Sequence, residues 1–264
     1  MEERKNADRF TGFADVYESA RPQMPQYAIK VVCDYLERKP GLVVDLGCGT
    51  GLSTAPWKDV AERVIGIEPS GDMFRIASQK AGENTSFIQA YSTDTTLPDS
   101  CADAVICSQS FHWMEPFSTL REANRILRPG GVFATVDCDW PPKAKWQAEN
   151  AYMELYDKAK QIEASNPSVK GTFVRYEKAK HLENMEKSGH FRYCREILFA
   201  NTEPCNAQRF INILLSQGSL QAILKVSPEL IEEDIGLYED TIRSICGDDV
   251  FDIDFCYRMR VGIK

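Results

Sequence analysis

Histidine is scarce in this chain, with only His112, His181 and His190 among 264 residues. None is spaced from another histidine or a cysteine as zinc ligands are, so no metal site is expected. Nine cysteines are scattered singly from Cys33 to Cys256 without a C-x-x-C pair. Their odd number, and the place of Cys48, Cys107 and Cys138 in or beside predicted strands, read as small buried hydrophobes in a reducing, cytoplasmic setting. No apolar run approaches the ~20 residues of a membrane span, so no membrane partner is expected. The charged opening Met1-Glu2-Glu3-Arg4-Lys5 lacks the apolar core of a signal peptide. Basic residues are outnumbered, 31 Lys and Arg against 39 Asp and Glu, and the net charge of −8 argues against a nucleic acid as main partner. Internal repeats, low-complexity tracts and flexible linkers are absent. What remains is ordinary for a globular protein: 43% hydrophobic, 27% charged, and long enough to bury a sizeable core.

The most informative stretch is Val43 to Thr54, V-V-D-L-G-C-G-T-G-L-S-T. Leu42, Val43 and Val44 read as a buried parallel strand, and Gly47, Gly49 and Gly51 follow at once. Glycine there lets the backbone turn tightly and approach a ligand. The spacing is G-x-G-x-G, not the G-x-G-x-x-G that seats a dinucleotide pyrophosphate. Asp45 precedes the first glycine by two positions. A carboxylate there repels a phosphate and suits an ammonium group.

Strand and helix then alternate, the pattern of a doubly wound parallel sheet. Arg63 to Glu68 is a second strand, and Ser70 is placed to cap a helix running through Ala81, with Met73, Ile76 and Ala77 on its apolar face. Ser86 to Ala90 and Ala102 to Ser108 are the third and fourth strands. Pro116 opens a helix with Leu120, Ala123, Ile126 and Leu127 as its stripe. It stops at Arg128-Pro129-Gly130-Gly131, and Val132 to Asp137 is the fifth strand. After the break at Trp140-Pro141-Pro142, two or three helices precede a strand at Tyr193 to Ala200. Helices over Gln208 to Leu215 and Glu229 to Ile245 and a strand over Phe251 to Ile263 end the chain.

In an open parallel sheet the ligand sits beyond the carboxyl ends of the strands. Glu68 ends the second strand, where a carboxylate can accept from both hydroxyls of a ribose. The glycine stretch with Asp45 and Glu68 resembles the first motifs of class I S-adenosylmethionine (SAM)-dependent methyltransferases. The resemblance implies a Rossmann-like, seven-stranded, mostly parallel α/β sheet with an antiparallel last strand, helices on both faces and a helical lid. It implies one domain over 1–264, with N-terminal helices over the cofactor at 8–38 and a SAM-binding core at 42–137. The lid would be an insertion at 141–190, and 191–264 would complete the sheet. SAM is then the cofactor. Asp45, Gly47, Cys48, Gly49, Thr50 and Gly51 would hold its methionine end, Glu68 its ribose, with Pro69, Ser70 and Met73 beside the ribose and adenine. Tyr91, Ser92 and Thr93 match the adenine-contacting segment, although Tyr91 and Ser92 depart from the usual small residue behind an acid. Ser108 would lie under the methionine portion.

Gln109-Ser110-Phe111-His112-Trp113-Met114 resembles a small-molecule branch that includes trans-aconitate methyltransferase. So do Phe10 to Pro25, F-x-x-x-A-x-x-Y-x-x-x-R-P, and the run Leu214-Leu215-Ser216-Gln217. In that branch the N-terminal segment folds over the cofactor, which places Tyr17 and Arg21 to close the pocket, Arg21 against a carboxylate of SAM or substrate. Gln109, His112, Trp113 and Trp140 would bound the acceptor pocket, and His112 and Tyr17 are the catalytic candidates. Methyl transfer from a sulfonium needs positioning more than acid–base help. A carboxylate acceptor needs no base, whereas a phenol, amine or thiol can call for one, so His112 either takes a proton or orients the acceptor. The expected activity is methylation of a small molecule. The rivals are a methyltransferase for protein or tRNA, a non-catalytic SAM-binding sensor, and an NAD oxidoreductase that the glycine spacing and Asp45 disfavour.

Overall fold

Every apolar run expected to form a strand does so in the computed structural model of the protein, which describes residues 18–170 and 174–264. The strands are β1 (Leu42–Leu46), β2 (Arg63–Ile67), β3 (Thr85–Ile88), β4 (Ala102–Ser108), β5 (Leu127–Cys138), β6 (Tyr193–Cys205) and β7 (Phe251–Ile263). They form one seven-stranded sheet in the order β3-β2-β1-β4-β5-β7-β6. Neighbours from β3 to β5 are parallel, and β7 runs antiparallel to both β5 and β6. The chain winds outward from β1 to β3 and returns to lay β4 beside β1. The loops leaving β1 and β4 therefore diverge, which opens a crevice at the switch point.

Alternation within the strands sorts the core into two layers. Val43, Ala104, Ile106, Val132, Ala134 and Val136 face one way, into a cluster with α1 (Gln26–Leu36) and helices of the C-terminal part. Leu42, Val44, Leu46, Val105, Cys107 and Phe133 face the other, against α3 (Pro116–Ile126) through Leu120, Ala123 and Ile126. All five residues of β1 are buried, as parallel strands covered on both faces must be. Each buried aliphatic side chain is worth about 1.5–3 kcal/mol, so this double layer fixes the strand ends from which the site is built. Among the described residues no helix is long and apolar enough to cross a membrane.

Departures from the expected elements have local causes. The helix after β2, α2 (Gly71–Ser78), stops short of Ala81, and the Ser70 hydroxyl at its N-cap makes no capping bond. Instead the Ser70 N–H donates to Glu68 Oε1 (2.8 Å), which fixes the turn without the hydroxyl. At α3 the cap is the Glu115 carboxylate, accepting from the N–H groups of Phe117 (3.2 Å) and Ser118 (2.7 Å). Leu127 ends the helix as an extended residue and begins β5, which absorbs the Pro129-Gly130-Gly131 break as an irregular start pairing Ala102 with Leu127.

Beyond the sheet core, α4 (Trp146–Ser165) packs against α7 (Gly218–Val226) and α8 (Glu232–Cys246). The short α5 (His181–Lys187) lies against β6 and β7, and α6 (Ala207–Leu215) packs on α8. The periodicity gave no sign of α7: it is buried at Ser219, Leu220, Gln221, Ala222 and Ile223 in succession and presents no polar stripe. The strand expected to end at Ala200 runs on to Cys205 through Pro204, which an edge strand tolerates because one of its N–H rows faces no partner.

Candidate active site

The loop leaving β1 is drawn against β2. The N–H groups of Gly47 and Cys48 both donate to the Ile67 carbonyl, at 2.8 and 3.1 Å. Gly47, Gly49 and Gly51 all have positive φ, and at Gly47 a Cβ would strike Met114 Cε at 2.6 Å and Ser110 Cβ at 2.8 Å. At Gly49 a Cβ would meet nothing within 4 Å among the described residues, so that glycine is open toward them. Asp45 is fully buried, with Oδ2 accepting from Ser53 Oγ (2.6 Å) and Thr54 Oγ1 (2.7 Å). Its Oδ1 has no hydrogen-bond partner among the described residues. Burial raises the Asp45 carboxyl to about 6 against the help of both hydroxyls.

Glu68, at the carboxyl end of β2, is buried, and each of its oxygens is held by a backbone N–H. Oε2 accepts from the Gly49 N–H (2.9 Å) and Oε1 from the Ser70 N–H (2.8 Å). Burial raises its carboxyl to about 7, opposed by those two bonds. The expected ribose acceptor is thus already a backbone clamp, with one lone pair left on each oxygen. Cys48 is buried, and Thr50, also buried, donates its hydroxyl to Glu18, which pairs with Lys80 as well. Met73 is buried, Ser70 Oγ is buried without a partner among the described residues, and the Pro69 carbonyl accepts from Gln89 Nε2 (3.3 Å). After β3, Tyr91 is exposed and Thr93 half-buried, while Ser92 turns inward, its hydroxyl 3.0 Å from that of Thr119. Ser108 ends β4, half-buried.

The loop after β4 touches both halves of the site. Ser110 donates to the Leu46 carbonyl (2.7 Å) beneath the glycine loop. Its neighbours Gln109, His112 and Trp113 line a second space, a cavity of about 510 Å³ beyond the ends of β4 and β5. Trp140, Tyr156 and Gln217 add apolar and amide walls, and among the described residues five cationic side chains line it: Arg21, Lys160, Arg175, Lys178 and Arg258. Arg21 donates to the hydroxyl and carbonyl of Ser216 (2.9 and 2.8 Å) and stacks over Trp140 at 4.6 Å. Arg175 lies over Trp113 at 5.8 Å. Asp139 and Glu177 are the acids of the lining, and Asp139 is paired with Arg258 at 2.9 Å.

Behind His112 stands Asp137, at the end of β5 and 2% exposed. Its carboxylate faces Lys178, His112, His181 and Arg260 at 3.0 to 3.5 Å. Asp137 is held far below the usual carboxylate range although burial alone would raise it, because Lys178 and the two imidazoles stabilise its charge. His112 is pushed the other way, down to about 3, by burial and by the Lys178 charge, with Asp137 opposing.

Of the candidates from sequence, the structure groups Asp45, the three glycines, Cys48 and Glu68 around the β1 loop, and Gln109, His112, Trp113, Trp140 and Arg21 around the cavity. Tyr17 lies outside the described residues. Asp137, Lys178, Arg175, Arg258 and the second histidine of the cluster were missed. Asp137 alone carried a signal, as an acid closing the fifth strand at the ligand edge of the sheet. Among the described residues no group of three or more His, Cys, Asp or Glu side chains is placed to hold a metal ion.

Residues 44–135 match the family described as a methyltransferase domain. An uncharacterized methyltransferase of Mycobacterium tuberculosis is 31% identical over 127 residues, covering 48% of this chain and 51% of its own. A Saccharomyces cerevisiae protein named as a probable S-adenosylmethionine-dependent methyltransferase is 30% identical over 124 residues, covering 45% and 43%. The chain thus spans about half the length of the curated relatives it matches. A solved structure of a candidate type II methyltransferase from Anaeromyxobacter dehalogenans superposes with a TM-score of 0.70 at 19% identity, over 92% of this chain and 97% of that one, which is a likeness of fold. By these matches residues 44–135 are similar to a methyltransferase domain, and the sheet shares the fold of that solved structure.

Proposed function

We propose that the protein is a SAM-dependent methyltransferase whose acceptor is a small anion bound in the 510 Å³ cavity. One observation carries the acceptor class. In a chain of net charge −8, five cations and two acids among the described residues line a single space, with Asp137, Glu163 and Glu196 paired to Lys178, to Lys160 and Arg175, and to Arg258 from outside that lining. A cavity walled by helices and loops suits a small molecule better than a protein or tRNA segment. The resemblance of Gln109 to Met114 and of Leu214 to Gln217 to the branch containing trans-aconitate methyltransferase supports the same choice.

Two features of the β1 loop fit the cofactor. Open space at Gly49 leaves room for a ligand against the backbone, and the unpartnered Asp45 Oδ1 is a buried acceptor suited to an ammonium group. On this reading Asp45 and the loop from Gly47 to Gly51, with Cys48 and Thr50, hold the methionine end. Glu68 uses its remaining lone pairs on the ribose, beside Pro69, Ser70 and Met73. The segment from Tyr91 to Thr93 borders the adenine through backbone groups, since the Ser92 hydroxyl is engaged with Thr119. Ser108 borders the methionine, and Arg21 belongs to the acceptor side. When bound, SAM supplies a methyl group already activated on a sulfonium. The protein's task is to place a nucleophile in line with it, worth several kcal/mol by pre-organisation.

Calorimetry tests the cofactor half: SAM and its demethylated product bind, and NAD does not. Gly49→Ala fills the open space and strains a backbone at φ +58°, by about 1–2 kcal/mol, so it should abolish SAM binding while the protein stays folded. Tight NAD binding without SAM binding would falsify the reading.

A further inference from the structure

The hydrogen-bond deficit around Asp137 has a direct chemical reading. Oδ2 is satisfied by His181 Nδ1 (3.0 Å) from α5 and Arg260 Nη1 (3.0 Å) from β7. Oδ1 makes no hydrogen bond among the described residues and faces Lys178 Nζ at 3.3 Å and His112 Nδ1 at 3.5 Å. His112 Nδ1 is likewise buried without a hydrogen-bond partner among them. Two buried, complementary, unsatisfied atoms therefore face each other a few tenths of an ångström beyond hydrogen-bond distance. A carboxylate can only accept, so the proton of a neutral His112 ring belongs on Nδ1. Nε2 is then left with a bare lone pair on a side chain that lines the acceptor cavity.

Resting on the methyltransferase reading, we propose that Asp137 is a positioning residue that locks His112 as the Nδ1–H tautomer. The acceptor is accordingly a hydroxy acid, methylated on its hydroxyl and not on its acidic group. A bare imidazole nitrogen repels the lone pairs of a carboxylate and accepts from an O–H. The anionic end of the acceptor falls to the cations, Arg21, Arg175 and Lys160 among them, and the hydroxyl to His112. In the reaction the hydroxyl oxygen forms the new C–O bond as the C–S bond breaks with its electron pair left on sulfur. The hydroxyl proton passes to His112 Nε2 and then to solvent. The titratable and charged groups facing the ring are Asp137 from the sheet, Lys178 from the segment before α5, and the second imidazole, His181, on α5. Their balance and burial keep the ring neutral in the resting protein. A weakly basic imidazole suffices, because an ether oxygen that has just gained a methyl group while still holding its proton is a far stronger acid than imidazolium.

The first test reads the tautomer directly. Nitrogen-15 spectra of the full, histidine-labelled chain at neutral pH, assigned with His112→Gln, should show the Nδ1–H tautomer for His112. An Nε2–H tautomer overturns the proposal. Asp137→Asn should shift that population toward Nε2–H and lower kcat about 10²-fold, the contribution of a positioned base, with KM for the acid little changed. An unchanged tautomer and kcat would overturn it. The second test measures SAM-dependent turnover on a panel of aromatic and aliphatic hydroxy acids, carboxylic and phosphonic. 4-Hydroxyphenylacetate and 4-hydroxybenzylphosphonate are among them, each beside its analogue without the hydroxyl. Methyl ethers are the expected products, with the analogues binding unreacted. A methyl ester from any member, or turnover of none while SAM binds, overturns the hydroxyl assignment and leaves the methyltransferase reading standing. Absence of SAM binding would strike that reading and the acceptor assignment with it, while the tautomer measurement still decides the role of Asp137.

Discussion

At the scale of single residues, Asp45 and Glu68 were legible because their spacing from Gly47 is local. Their present bonds were not, since those depend on how the β1 loop folds back on β2. That difference changes what each should do. Glu68→Ala leaves the N–H groups of Gly49 and Ser70 without acceptors, at about 1–3 kcal/mol each, so denaturant unfolding of the ligand-free protein should show a clear loss of stability besides weaker SAM binding. Unchanged unfolding would mean that the clamp is not formed in solution. Both carboxyls are raised, to about 6 and about 7, above unfolded values of about 4. The folded protein then holds protons that the unfolded chain has released, so ligand-free stability falls as pH climbs from about 4 toward 7. A ligand carrying an ammonium group favours ionised Asp45, so SAM binding near pH 6 should expel a proton. Calorimetry in two buffers of different ionisation enthalpy reads this directly, and Asp45→Asn should remove it.

At the scale of elements, the sheet's opposite end is pinned by a residue unrelated to the site. Asp103, fully buried at the start of β4, accepts from the N–H groups of Gly41 (2.6 Å) and Leu42 (3.0 Å) and from Arg38 (2.5 Å) and Arg128 (2.8 Å). It joins the amino ends of β1, β4 and β5. Burial alone would raise its carboxyl, but Arg38, Arg128 and the two backbone donors bring it down to about 2. A depressed carboxyl stabilises above its unfolded value near 4 and loses that contribution as pH falls toward 2. Asp103→Asn should therefore destabilise by about 1–3 kcal/mol, the cost of weakening bonds to a buried carboxylate, while half-exposed Arg38 and Arg128 stay solvated, and should flatten the acid limb of stability between those pH values. SAM affinity should be untouched, and a parallel loss of affinity would show that the two ends of the sheet are coupled. The strands from β1 to β5 were readable because buried parallel strands are short apolar runs between turn signals. The helix α7 was not, because every residue from Ser219 to Ile223 is buried and periodicity has nothing to register. The boundary at Leu127 failed for a similar reason: a buried leucine serves a helix stripe and a strand equally well.

The whole molecule sets a net charge of −8 against a cavity lined by five cationic side chains among the described residues, and sequence could see only the first. Net charge is a sum over the chain, whereas the cavity's charge is assembled from Arg21, α4, the segment before α5 and Arg258 of β7. No local motif links those positions. The contrast has a kinetic consequence for an anionic acceptor. At low salt the field of a −8 protein reaches about 30 Å and opposes approach, while near 0.15 M it is confined to about 8 Å. The cations inside the cavity face a partly desolvated space and are screened less than the surface charges. Raising ionic strength across that range should therefore speed capture of the acid more than it weakens holding, so kcat/KM should rise or stay level. A neutral acceptor analogue of the same shape should show no such trend. Charge reversal gives the control: exchanging exposed surface glutamates such as Glu232 and Glu233 for lysine, both far in sequence from every cavity residue, should raise kcat/KM at low salt and lessen its salt dependence. A steep fall of kcat/KM with salt in the unaltered protein would mean that attraction at long range dominates. The acceptor would then be read by surface charges, not by the cavity.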